Sequence, residues 1–117
     1  MMAFEYTQKE EAEIIIMTLK GELIDKNQTT EMMLQTDALI AAGKNKFILD
    51  LSELKYVNSS GLNVLIHILT RARKSGGDVA IAGVSKKVNE LLLITKLNTI
   101  FNISDSIANA ITLLKNQ

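Results

Sequence analysis

The chain has 117 residues, of which 47% are hydrophobic and 22% charged, and its 13 acidic and 13 basic side chains leave no formal net charge. That length and composition fit one domain able to bury a core of its own and exclude a disordered chain. The charge balance offers no footprint for nucleic acid or for a polybasic membrane module. The absence of cysteine removes disulfides, thiolate nucleophiles and Cys-based zinc sites.

Phe4 to Thr7 and Ile14 to Leu19 read as two strands joined by the acidic turn QKEEAE, with Gly21 ending the second. Asp25 followed three residues later by Gln28 has the form of a capping box, so a helix is predicted next. Met32, Leu34, Ala38, Leu39 and Ala42 recur along it at roughly helical spacing, and Gly43 is placed to end it in the left-handed conformation. KFILDL is the nearly continuous apolar run expected of a strand covered on both faces or lying centrally in a sheet.

A second helix is predicted over Gly61 to Lys74, stopped by SGGD at Ser75 to Asp78. Val79 to Ala82 reads as a strand, Ser85 as the cap of a helix through Leu93, and Ile100 to Ile103 as a last short strand. Ser104 is the expected cap of a terminal helix whose apolar side is Ile107, Ala110, Ile111 and Leu114. The order β-β-α-β-α-β-α-β-α predicts an α/β fold: a mixed sheet of four to five strands, opened by a hairpin and packed with about four helices. No repeat, linker or low-complexity tract divides the chain, so a single domain over residues 1–117 is expected.

No apolar run approaches the roughly 18 residues a bilayer span needs, Leu62 to Leu69 being broken by Asn63 and His67. MMAFEYTQKEEAE lacks the pattern of a secretory signal. A cytoplasmic location without membrane insertion is the expectation.

The informative stretch is YVNSSGLNVL, Tyr56 to Leu65, with two hydroxyls and a glycine between a strand and a helix. Asn58 or Ser59 stands where the first helical amides lack acceptors, so either side chain can serve simply as a cap. A nucleophilic serine needs a base, and His67, the only histidine, falls with Asn63, Thr70, Arg71 and Lys74 on a polar stripe two turns along the helix. G-x-S-x-G and the phosphate-cradling G-x-x-x-x-G-K-S/T are absent, and the aspartates are too scattered to hold a metal. No catalytic residue, cofactor or metal is therefore expected. A serine that accepts phosphate fits better, because a doubly charged group is tolerated at a helix amino terminus while it changes the surface a partner meets.

FILDLSELKYVNSSGLNVLIHILTRARKSGGDVAIAGVSKKV resembles the centre of a STAS domain, the module of anti-sigma factor antagonists, with a strand ending in DLS, then a D-S-S-G-L or D-S-T-G-L corner, then a helix. GELID at Gly21 to Asp25 is similar to the family's early segment. The resemblance implies a non-enzymatic regulator, an anti-anti-sigma factor working by partner switching. Its partner would be an anti-sigma factor with GHKL-type serine kinase activity, which it binds to free a sigma factor for transcription. It further implies Ser59 as phosphoacceptor, with Ser60 at the second hydroxyl position as the alternative, and a PP2C-type phosphatase that removes the phosphate. Asn58 stands in place of the family's aspartate, removing one negative charge while keeping a side chain able to cap.

The expected partner-binding residues are Asn58, Ser60, Gly61, Leu62, Asn63, Ile66, His67 and Thr70. Gly61, Leu65, Ile68, Leu69 and Ala72 form the predicted core side of the helix, and Leu62, Val64 and Ile66 flank it as a possible apolar patch. A monomer or weak homodimer is expected. The competing readings are an unphosphorylated scaffold or accessory subunit of a signalling or lipid-transport assembly, and small-ligand binding at the sheet edge, for which no phosphate loop speaks.

Overall fold

The computed structural model describes residues 3–117. Its five-stranded sheet has the order β1-β2-β3-β4-β5, with β1 (Phe4–Glu11) antiparallel to β2 (Ile14–Leu23) and the remaining pairs parallel. A short 3-10 turn, Lys26–Thr29, leads into α1 (Thr30–Ala41); β3 (Lys46–Val57) then meets α2 (Ser59–Lys74). β4 (Asp78–Ala82), α3 (Lys86–Ile94), β5 (Asn102–Ser104) and α4 (Ile107–Lys115) complete the predicted order.

The opening hairpin is longer than expected. QKEE remains in β1, and the connection is only Ala12 and Glu13, both at positive φ (54° and 65°) as the tight turn of a two-residue hairpin demands. Gly21 does not end β2. It sits at φ 90° beside a register shift, and a Cβ there would lie 1.9 Å from the Ala3 carbonyl oxygen, so glycine lets the strand bend and run on to Leu23.

Period-two alternation divides the apolar residues between two cores. Ile15, Met17 and Leu19 of β2, Phe47, Leu49 and Leu51 of β3, and Val79 and Ile81 of β4 join Met32 and the inner side of α2 in the larger one. Ile14, Ile16, Ile48, Ala80 and Ala82 face the other way, onto Ala110 and Leu114 of α4. Residues 47–51 of β3 are thus covered on both faces, as the nearly continuous apolar run predicts, whereas Ser52, Glu53, Lys55 and Tyr56 leave one face of its second half exposed.

Two helices differ from the periodic reading. On α1, Met32 and Thr36 are buried whereas Leu34 is 66% exposed; Thr36 can be buried because its hydroxyl donates to the Met32 carbonyl at 2.8 Å. The cap of α4 is Ser106, whose Oγ accepts from the Asn109 N–H, while Ser104 belongs to β5. Asp25 with Gln28, Ser85 and Gly43 take the capping roles assigned to them.

Asp78 fastens the carboxyl-terminal half. Its carboxylate accepts from Arg73 Nε (3.0 Å), Asn102 Nδ2 (2.9 Å), Gln117 Nε2 (2.8 Å) and the Val79 N–H (2.8 Å). Burial pushes its pKa upward, but the bonds from Gln117, Val79 and Arg73 outweigh that and hold it below the ordinary carboxylate value. A lowered folded pKa contributes stability that is complete above the unfolded value and is lost as pH falls through the folded one. Asp78→Asn is expected to cost about 1–3 kcal/mol at pH 7 and to flatten the acid limb of the stability profile, as read by urea unfolding between pH 7 and pH 2.

Candidate functional site: the β3–α2 corner

The corner is built around Asn58. Its backbone is extended (φ −107°, ψ −173°), its carbonyl accepts from the Leu62 N–H at 2.9 Å, and its side-chain Oδ1 accepts from the Gly61 N–H at 3.0 Å. Asn58 is therefore the cap, and α2 begins two residues before the predicted Gly61. The other end of the same amide donates to the Ile24 carbonyl at 3.0 Å, while the Asn58 N–H donates to the Leu23 carbonyl at 3.3 Å. One side chain thus ties the start of α2 to the end of β2.

The segment it grips is also braced from the α1 side. Gln28 Oε1 accepts from the N–H groups of Ile24 and Asp25 at 2.9 Å each, and its Nε2 donates to the Glu22 carbonyl at 3.1 Å. Gly61 permits the close approach: a Cβ there would fall 2.4 Å from the Leu23 carbonyl oxygen and 2.5 Å from Val57 Cγ2.

Ser59 and Ser60 occupy the first two helical positions and are both exposed. Their backbone amides precede the first intrahelical donor, so they point out of the helix end as open donors. Neither hydroxyl enters a hydrogen bond among the described residues. Successive helical positions diverge by about 100°, and the two serines open onto different hollows. Ser60 lines a cleft of about 720 Å³ between α1 and α2, with Met33, Val64, His67 and Arg71; Ser59 lines one of about 370 Å³ between the corner and α3, with Tyr56, Lys87 and Ile94. Asp37 of α1 is paired with Arg71 across the first cleft.

The core side of α2 is as expected, with Gly61, Leu65, Ile68, Leu69 and Ala72 buried. Asn63, His67, Thr70, Arg71 and Lys74 are exposed. Of the expected partner-binding residues, Asn58, Ser60, Asn63, Ile66, His67 and Thr70 reach the surface at least in part, whereas Gly61 and Leu62 are buried against the end of β2 and the sheet. Those two seat the helix instead of contacting a partner. Val64 is also buried, at 6%, so of the three flanking residues only Ile66 keeps partial exposure. Sequence periodicity missed this because α2 lies between α1 and the strands, which widens its buried face. It also missed the exposed apolar residues near Ser59, Tyr56 (42%) and Ile94 (78%).

Ser60 and His67 share a cleft but stand seven residues apart, about 10 Å along the helix axis, beyond the reach of a base for a serine nucleophile. Among the described residues no group of three or more His, Cys, Asp or Glu could hold a metal ion, and no helix is long and apolar enough to cross a membrane. The corner is an exposed, hydroxyl-bearing helix end on a sheet-based module.

Comparison with known proteins places that module. The model of the STAS domain matches residues 5–110, and the chain belongs to the STAS domain family. A candidate anti-sigma factor antagonist of Thermotoga maritima is 31% identical over 98 residues, covering 84% of this chain and 87% of the relative. The anti-sigma F factor antagonist of Paenibacillus polymyxa is 31% identical over 103 residues, 87% of each chain. Among solved structures, a candidate anti-sigma factor antagonist of Thermotoga maritima superposes with a TM-score of 0.82 at 27% identity over 94% of both chains. The Bacillus cell fate determinant SpoIIAA, in its phosphorylated form, shares the fold at a TM-score of 0.70 and 17% identity over 94% of this chain and 97% of that one. The protein is a non-enzymatic regulator of the anti-sigma factor antagonist family.

Three substitutions probe the corner. Asn58→Ala is expected to cost about 1–2 kcal/mol in urea unfolding through loss of the cap. Asn58→Asp keeps the acceptor for Gly61 but loses the donor to Ile24, so it should cost less while speeding amide hydrogen exchange at Ile24 and Asp25. Gly61→Ala, with its methyl driven against the Leu23 carbonyl, is expected to lose about 1–3 kcal/mol.

Proposed function

We propose that this protein antagonises an anti-sigma factor by binding it over the β3–α2 corner, and that phosphate on Ser59 ends the binding. The observation that carries the reading is the exposure of the Ser59 hydroxyl at the first position of α2, beside open backbone amides and outside the hydrogen bonds that hold the corner. Phosphorylation adds roughly 1.5 to 2 negative charges and three acceptor oxygens. The helix amino terminus favours such a group by about 0.3–1 kcal/mol when exposed, so the domain keeps its fold. A partner seated on the corner meets instead an unpaired, desolvated charge.

The partner is an anti-sigma factor with GHKL-type serine kinase activity, and a PP2C-type phosphatase restores the binding form. Such exchange is cytoplasmic. Support comes from the family membership and from two relatives described as antagonists of anti-sigma factors. Asn58 supports recognition of the corner by shape, since it replaces a charge with an amide whose two ends are both engaged. Asn63, Ile66, His67 and Thr70 form the outer side of α2 that the partner reads.

Incubation with the anti-sigma kinase of the same genome and ATP, followed by mass spectrometry, tests this directly. One phosphate on Ser59 is expected, none in Ser59→Ala, and a loss of affinity of about tenfold or more for Ser59→Asp. Phosphate on Ser60 alone would move the switch to the α1–α2 cleft. A tight complex that never modifies the chain and tolerates Ser59→Asp would make it a scaffold instead.

A further inference from the structure

The hollow that receives Ser59 continues onto the outward side of α3. Ile94, 78% exposed, lines it together with Tyr56, whose ring centre lies 5.7 Å from Lys87 Nζ. Neither core absorbs these side chains; the buried side of α3 is Val88 and Leu92. The charged residues that line the hollow are two lysines, Lys55 and Lys87, against one acid, Glu90, all three exposed.

We propose that this groove is a second docking surface, and that it takes an acidic segment with an apolar face from the same anti-sigma factor that engages the Ser59 corner. The inference rests on the reading of the corner given above and names how that site is regulated. Two features select this occupant. Lys55 and Lys87 complement acidic side chains, while Ile94 and Tyr56 offer the apolar anchor that a purely electrostatic contact lacks. The groove is also continuous with the corner, sharing Asn58 and Ser59 as lining residues, so one partner covers both. A second copy of the chain fits poorly, because a two-fold contact through this patch sets the lysines of one copy against those of the other.

The regulatory consequence is specific. A phosphate on Ser59 enters a hollow lined by Lys55 and Lys87, and there it competes for the cations that the partner's acids require. Release then follows from occupation of the lysines as well as from repulsion.

The test is titration calorimetry of the full chain with the anti-sigma kinase of the same genome, with circular dichroism to confirm the fold of each variant. Lys87→Glu and Ile94→Asp are each expected to weaken binding about tenfold or more, and the Lys87 effect should shrink at high salt. Lys115→Glu on α4 should bind as the unaltered chain does. Unchanged affinity in both α3 variants, with Ser59→Asp still disrupting the complex, overturns this inference and leaves the corner reading standing. Weakening by both α3 variants while Ser59→Asp binds normally keeps the docking surface and removes the phosphate switch. An unaltered chain that does not bind the kinase overturns both. If the variants instead abolish only self-association in sedimentation, or only binding to phosphatidylglycerol vesicles, the occupant is a second copy or an anionic lipid surface and the proposal fails.

Discussion

A single primary amide, that of Asn58, holds together the two pieces of chain from which the site is made. Its oxygen satisfies the Gly61 N–H at the start of α2 and its nitrogen satisfies the Ile24 carbonyl past the end of β2. A carboxylate has only acceptors and could make the first bond but not the second. The difference from the aspartate of the related motif is therefore a change of connectivity as well as of charge. With the segment from Glu22 to Asp25 held by Asn58 on one side and Gln28 on the other, the corner is supported by the sheet from both directions.

This support explains why the serines project. Gly61 and Leu62 turn inward, so the residues just before them, at the first and second helical positions, turn out. Their adjacency in sequence then becomes divergence in space, one hydroxyl opening toward α1 and the other toward α3. A kinase that modifies only one of them changes one hollow directly and leaves the other's lining untouched.

Much of this was legible before any coordinates. Capping residues announce helix starts by local chemistry, which is why Asp25 and Ser85 were readable, and the first half of β3 declared its double burial through a nearly continuous apolar run. The outer stripe of α2 from Asn63 to Lys74 followed from periodicity alone. What escaped is set by neighbours beyond the helix in question. Leu34 fits the apolar spacing of α1 yet faces solvent, because Thr36 can be buried by bonding to its own helix backbone. Leu62 and Val64 lie off the strict core side and are buried nonetheless, because α1 and the end of β2 close over them. Ile94 lies one residue past the predicted end of its helix and is 78% exposed, which no local signal announces.

The way the corner is held bears on what the proposed switch can use. The corner joins the end of a strand buried along one face to a helix with seven buried positions, and Asn58 bonds it to the end of β2. A charge added at Ser59 would lie outside the hydrogen bonds that hold the corner. Its free-energy effect on the chain alone is the small favourable interaction with a helix terminus, whereas its effect on a complex includes desolvation of the phosphate and the loss of Lys55 and Lys87 to it. The switch is the difference between those two quantities. On the proposed reading it would grow as the surface around Ser59 is more completely covered by the partner, so regulation would come from how tightly another protein fits over the corner.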